Sequence, residues 1–132
     1  LHPDSIVLLG GSAEAAIGEK LKVNFGERVF NAAGKLTLDQ SAIAIRESKF
    51  LISPDTGMMH IAAALQKRII SIWGNTVPAF GMYPYYGSHA NQNTSLEVNG
   101  LRCRPCSKIG KNHCPKGHFD CMQKQVFDFD MK

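Results

Sequence analysis

Short apolar runs alternate with helical periodicity from the start of the chain to Trp73. Ile6-Val7-Leu8-Leu9 predicts a buried strand that ends at Gly10-Gly11. Ala13, Ile17 and Leu21 then recur at helical spacing behind Ser12, a candidate N-cap whose hydroxyl can accept a first-turn N–H. Arg28-Val29-Phe30 predicts a second strand, Gly34 a turn, and Leu38, Ala42 and Ile45 a second helix with Asp39 in its first turn. Phe50-Leu51-Ile52 predicts a third strand. Pro54-Asp55-Thr56-Gly57 opens a third helix, whose Met58, Ile61, Ala62 and Leu65 follow the i, i+3, i+4, i+7 spacing of a buried stripe. Ile69 to Trp73 predicts a fourth strand, closed by Gly74. These strands lack polar alternation, as expected of parallel strands covered on both faces and joined by right-handed βαβ crossovers. The expected fold class is α/β, a Rossmann-like parallel sheet with flanking helices.

Beyond Trp73 the period is lost. Residues 75–94, rich in Pro, Gly, Tyr and Asn, predict a long loop past the strand end; Ser95 to Val98 predicts one more short strand, and Met122 to Phe127 a terminal helix. The expected division is a partial Rossmann-like, ligand-binding lobe over 1–100 and a Cys-rich basic loop with a terminal helix over 101–132, packed on the same domain.

The chain has 132 residues, 44% of them hydrophobic and 20% charged, which suits one packed domain and excludes a disordered chain. No apolar run approaches the ~20 residues needed to cross a bilayer. Leu1 to Leu9 carries neither a basic leader nor a long apolar stretch, so a cytoplasmic protein is expected. The chain begins without Met and reaches a strand within a few residues, which fits a piece of a longer protein. The net charge of +4 is local: Arg102, Arg104, Lys108, Lys111 and Lys116 lie in one stretch without an acid, leaving ten basic against eleven acidic residues elsewhere. Such a stripe is either a solvated loop or a surface for polyanions.

Three loops at predicted carboxyl ends of strands carry chemistry, because ligands of open parallel sheets bind there. In Gly10-Gly11-Ser12-Ala13-Glu14 the glycines let backbone approach a ligand, and Glu14 can accept from ribose or sugar hydroxyls or favour the helix dipole. It lacks the third glycine of the dinucleotide fingerprint. In Ser53-Pro54-Asp55-Thr56-Gly57-Met58-Met59-His60, an acid, a hydroxyl, a glycine and an imidazole surround a helix N-terminus suited to a diphosphate. Thr56 with the amides of Gly57 and Met58 can hold phosphate oxygens. His60 can donate to phosphate or sugar, and Asp55, which would repel phosphate, suits sugar hydroxyls. The alternative is that Asp55 or Thr56 caps the helix. In the third loop Gly74 and Thr76 can approach a ligand, and Trp73, Tyr85 and Tyr86 either line a pocket or pack the loop down.

The run Asp55-Thr56-Gly57-Met58-Met59-His60-Ile61-Ala62-Ala63-Ala64-Leu65, followed by Ile69 to Thr76 and Pro78, resembles the signature of the bacterial heptosyltransferases, glycosyltransferase family nine. Gly10-Gly11 with Glu14, and the turn Ala33-Gly34-Lys35-Leu36-Thr37-Leu38, occupy the positions that this similarity requires upstream. The resemblance covers nearly the whole chain. It implies the carboxyl-terminal, donor-binding lobe of a GT-B transferase that moves heptose from ADP-heptose to a lipopolysaccharide inner-core acceptor. It implies inverting chemistry without a catalytic metal or other required cofactor, and a cytoplasmic enzyme in contact with the inner face of the inner membrane. By the same resemblance Asp55, Thr56, Gly57, Met58 and His60 contact the diphosphate and heptose, Glu14 the ribose and Leu36 the adenine. No catalytic residue is expected among these, since the family's carboxylate base belongs to an amino-terminal lobe, and the chain alone is expected to be inactive.

Cys103, Cys106, Cys114 and Cys121 stand at intervals that can build a structural zinc site, with His113 and His118 as substitute ligands, or remain free thiols; disulfides are the third reading and suit a cytoplasmic protein least. The alternative function that follows is a non-catalytic, zinc-stabilised module binding nucleic acid or other polyanions through its basic Cys loop; the transferase implies no nucleic-acid partner.

Overall fold

A computed structural model describes residues 5–130. The chain forms two compact units, divided between Ala44 and Ile45.

In the first unit β1 (Ile6–Leu8) and β2 (Val29–Asn31) pair in parallel, with Ile6 opposite Val29 and Leu8 opposite Asn31. A 3-10 turn over Ser12–Glu14 leads into α1 (Ala15–Phe25). Ser12 is therefore part of the turn and not an N-cap; Gly11 stands at the boundary, and its N–H is taken by the Glu14 carboxylate at 2.8 Å. The apolar positions Ile17 and Leu21 remain exposed. The face of α1 that meets β2 carries Gly18 instead, because a polar residue occupies that space. Asn31 Nδ2 donates to the Ala15 carbonyl and to Glu19 Oε1, and its Oδ1 accepts from the Ala33 N–H. A Cβ at Gly18 would lie 2.2 Å from that Oδ1.

Thr37-Leu38-Asp39-Gln40 starts α2 (Leu38–Glu47) with a reciprocal cap: Thr37 Oγ1 accepts from the Gln40 N–H, and the Gln40 side chain accepts from the Thr37 N–H.

The second unit holds β3 (Phe50–Pro54), α3 (Gly57–Ala64), β4 (Arg68–Trp73), β5 (Asn93–Glu97) and α4 (Asp120–Gln123). The strands run parallel in the order β3-β4-β5, with Ser53 opposite Ser71 and Trp73 opposite Glu97. The central strand buries Ile69, Ile70, Ser71 and Trp73. Against it α3 buries Met59, Ala62 and Ala63, while Met58, Ile61 and Leu65 are only partly covered. The buried stripe thus differs from the one the spacing suggests. The sequence Met-Met-His-Ile-Ala-Ala-Ala is apolar almost all round, so it offers little periodic contrast and the sheet decides which face goes inside.

Two further expectations change. The described strands form a two-stranded and a three-stranded parallel sheet: the expected buried strand β1 leaves Ile6 and Val7 exposed and β2 leaves Phe30 half exposed, while the central β4 buries the consecutive residues Ile69, Ile70 and Ser71 and is thus covered on both faces. The terminal helix lies at Asp120–Gln123, not over 122–127. Gln125 Nε2 donates to the carbonyls of Trp73 and Cys121, which ties down the chain after the helix. Residues 101–130 belong with β3 to β5 in the second unit. Among the described residues no helix is long and apolar enough to cross a membrane.

Candidate functional site

The carboxyl ends of β3 and β4 open onto a cavity of about 260 Å³, lined by Pro54, Asp55, Gly74 and Thr76 from the sheet side. Sites for drug-sized ligands run to ~300–1,000 Å³, so this volume suits one moiety of a ligand, a sugar or a phosphate group. Asp55 makes no intramolecular hydrogen bond or ion pair among the described residues, and its carboxylate is partly exposed. Thr56 stands at the N-cap of α3 with extended backbone, yet its hydroxyl makes no capping bond. It pairs with Ser53 Oγ at 2.9 Å, and Ser53 is buried. The amides of Gly57 and Met58 at the positive end of α3 thus have no side-chain cap, and a Cβ at Gly57 would meet no atom within 4 Å. Oriented first-turn N–H groups facing open space are a ready anion site.

The opposite wall of the cavity comes from the Cys-rich segment: Ile109, Phe119 and Met122. Met122 takes the space that the absent side chain of Gly74 leaves: a Cβ at 74 would lie 2.6 Å from Met122 Sδ, so the thioether would have to shift. Phe119 has φ +55° and ψ +28°, a left-handed conformation that costs a non-glycine residue roughly 1–3 kcal/mol. Its N–H donates to Cys114 Sγ, and its carbonyl accepts from the N–H groups of Met122 and Gln123.

Arg104 fastens this segment to the sheet. Its guanidinium donates to the carbonyls of Gly74, Thr76 and Val98 and pairs with Glu97 at 2.8 Å. Cys106 N–H donates to the Asn75 carbonyl, and Asn75 Nδ2 donates to the Lys111 carbonyl. Arg104 therefore leaves the basic stripe: its charge is consumed inside the fold, which weakens the case for a polyanion-binding loop. The remaining members Arg102, Lys108, Lys111 and Lys116 are exposed.

The four cysteines lie in the second unit, with Cys106 and Cys114 near enough to Cys121 to act on its thiol. Among the described residues no three Cys, His, Asp or Glu side chains are arranged to hold a metal ion, and no disulfide is present. Cys103 Sγ instead meets His118 Nε2 at 3.7 Å. The Cys114 thiol accepts from the Phe119 N–H and neighbours those of Lys116, Gly117 and His118, which hold its pKa below the ordinary thiol value. Burial, and then the neighbouring Cys106 and Cys114, push the Cys121 thiol up.

In the first unit the loop after β1 and the turn after β2 are close. The Gly34 N–H donates to the Gly10 carbonyl at 2.9 Å, and Gly34, at φ +71°, has Ser12 Cα 2.9 Å from where a Cβ would sit. A side chain at 34 is excluded both by the left-handed backbone and by this approach. Glu14 is exposed, with one carboxylate oxygen spent on Gly11; Leu36 is half-buried in the turn.

Residues 3–115 match the family described as glycosyltransferase family 9 (heptosyltransferase). The chain belongs to glycosyltransferase family 9. Lipooligosaccharide heptosyltransferase 2 of Haemophilus influenzae is 29% identical over 113 residues, which cover 83% of this chain and 32% of that protein. Lipopolysaccharide heptosyltransferase 2 of Escherichia coli is 32% identical over 79 residues, covering 57% and 23%. The solved structure of E. coli ADP-heptose lps heptosyltransferase II superposes with a TM-score of 0.62 at 23% identity, over 77% of this chain and 33% of that one. A family 9 glycosyl transferase from Veillonella parvula gives 0.57 at 23%, over 70% and 25%. The chain spans at most about a third of the length of these relatives, and the structural likeness carries the fold.

In this family 9 chain, the sequence-expected residues Asp55, Gly74 and Thr76 converge on one cavity, and Thr56, Gly57 and Met58 form the helix turn beside Asp55. His60 lies on the exposed side of α3, outside the cavity lining. Gly10, Gly11, Glu14 and Leu36 belong to the first unit. Trp73 is a core residue, fully buried with its Nε1 donating to Ser71 Oγ, and Tyr86 is buried with its hydroxyl on the Lys67 carbonyl. The aromatic wall comes from Phe119, which no local pattern announced; the one hint was a glycine at 74, directly after a strand, with no turn of its own to explain it.

Proposed function

We propose that this chain supplies donor-binding residues of a heptosyltransferase, holding the sugar and diphosphate of ADP-heptose for transfer to a lipopolysaccharide core acceptor. The observation that carries this is the uncapped first turn of α3 beside Asp55, at the carboxyl ends of two parallel strands, over a cavity sized for one sugar. The Gly57 and Met58 N–H groups donate to the diphosphate and stabilise the charge it gains on leaving. Asp55, unpaired within the fold, accepts from sugar hydroxyls. Thr56 adds a hydroxyl and His60 a donor at the edge. The family resemblance assigns Glu14 to the ribose and Leu36 to the adenine.

Calorimetric titration of the intact protein with ADP-heptose, AMP and a GDP-sugar tests this. ADP-heptose should bind at least ~10-fold more tightly than the others, a difference of ~1.4 kcal/mol. Asp55→Asn should remove most of that margin with an unchanged unfolding midpoint. Equal affinity for all three ligands defeats the donor assignment.

A further inference from the structure

We propose that Phe119 is a specificity-determining residue, the platform against which the C–H face of the donor's sugar ring packs. This rests on the donor assignment above. Three observations converge. Phe119 lines the same cavity as Asp55, so an apolar ring and a free carboxylate share one small space. A pyranose has the matching chemistry, with hydroxyls around its rim and C–H groups on its face, and such sites pair apolar walls with a few placed polar groups. Next, Phe119 is 38% exposed, and Met122 and Ile109 beside it are also exposed, so this aromatic is not held there by burial in a core. Finally, its backbone is kept left-handed, which disfavours bulky side chains, and it is fixed from both sides by the Cys114 thiol and the first turn of α4. A merely structural turn at this position would favour Gly or Asn. The energetic preference runs against Phe, and the ring faces the ligand space.

The Cys-rich segment thereby has a role that needs no metal. Arg104 and the Cys114 contact position a sugar-facing wall, and Gly74 makes room for it.

The test compares Phe119→Asn with Phe119→Tyr in the intact protein, titrated with ADP-heptose and with ADP. Asn tolerates the left-handed backbone, so the fold survives loss of the ring. Phe119→Asn should weaken ADP-heptose binding about tenfold and leave ADP within about twofold, while Phe119→Tyr keeps both affinities near those of the parent. Unchanged ADP-heptose binding in Phe119→Asn overturns the platform while the donor assignment stands. An equal fall for ADP and ADP-heptose also overturns it, because the ring would then serve the diphosphate or the fold. If the parent protein binds neither ligand, the donor assignment itself falls and takes the platform with it.

Discussion

Arg104 and Glu97 form an ion pair of 2.8 Å in which the arginine side chain is only 6% exposed. The pair joins the end of β5 to the Cys-rich segment, and the same guanidinium reaches the carbonyls of Gly74 and Thr76 after β4 and of Val98 after β5. A charge so placed acts as a fastener between chain segments 30 residues apart, and its value lies in every acceptor it satisfies at once.

Replacing it should therefore cost more than a surface ion pair. Arg104→Met keeps the apolar stem but strands the carbonyls and Glu97. Breaking a fully buried pair costs ~3–5 kcal/mol, and Glu97 keeps 28% side-chain exposure, so roughly 2–3 kcal/mol is expected here. Urea titration should show a lower midpoint with an unchanged slope. A midpoint equal to that of the parent would show that the clamp contributes nothing.

Gly18→Ala should destabilise the first unit, against the usual gain of replacing glycine inside a helix. The new methyl would lie 2.2 Å from Asn31 Oδ1, and Asn31 is buried with three hydrogen bonds. Overpacking together with a disturbed buried amide costs roughly 2–3 kcal/mol. Hydrogen exchange of the β1 and β2 amides should accelerate; slower exchange would mean that the helix propensity wins.

Cys114 should be the most reactive thiol. Its pKa is depressed, chiefly by the Phe119 N–H, so at any pH near neutrality it holds a larger thiolate fraction than an ordinary cysteine, and its reactivity rises at lower pH than theirs. Cys121 is buried and shifted the other way. Alkylation with iodoacetamide at pH 7, read by mass spectrometry, should label Cys114 first and Cys121 last. Simultaneous labelling of the two would contradict this ordering.

His60→Ala should leave stability within ~0.5 kcal/mol, as for exposed positions without partners. Its effect on ADP-heptose binding should be smaller than that of Asp55→Asn, because His60 lies outside the cavity lining. Calorimetry on the two variants ranks them, and a larger loss for His60→Ala would move the diphosphate toward the exposed side of α3.

The order of strands and helices to Trp73 was legible because strand and helix periods differ, and short apolar runs with glycine ends mark parallel strands whatever surrounds them. The start of α3 after Asp55-Thr56 was legible for the same local reason: the residues that open a helix are adjacent in the chain. The stripe on α3 was not, since a helix apolar on nearly every side does not declare its inner face. Nor was the burial of Gly18 in place of Ile17 and Leu21, which depends on Asn31 arriving from a different strand.

The cysteines mark the boundary between the two kinds of knowledge. Spacing alone suggested a ligand set, but how close the thiols come depends on the path of the chain between them, which Arg104 ties to the carbonyls of Gly74 and Thr76. By itself the sequence determined the α/β class, the helix start behind Asp55-Thr56 and the family. Tertiary structure decided which helix faces are buried, where the basic charge is spent and that Phe119 completes the cavity, because each of these rests on contacts between residues far apart in the chain.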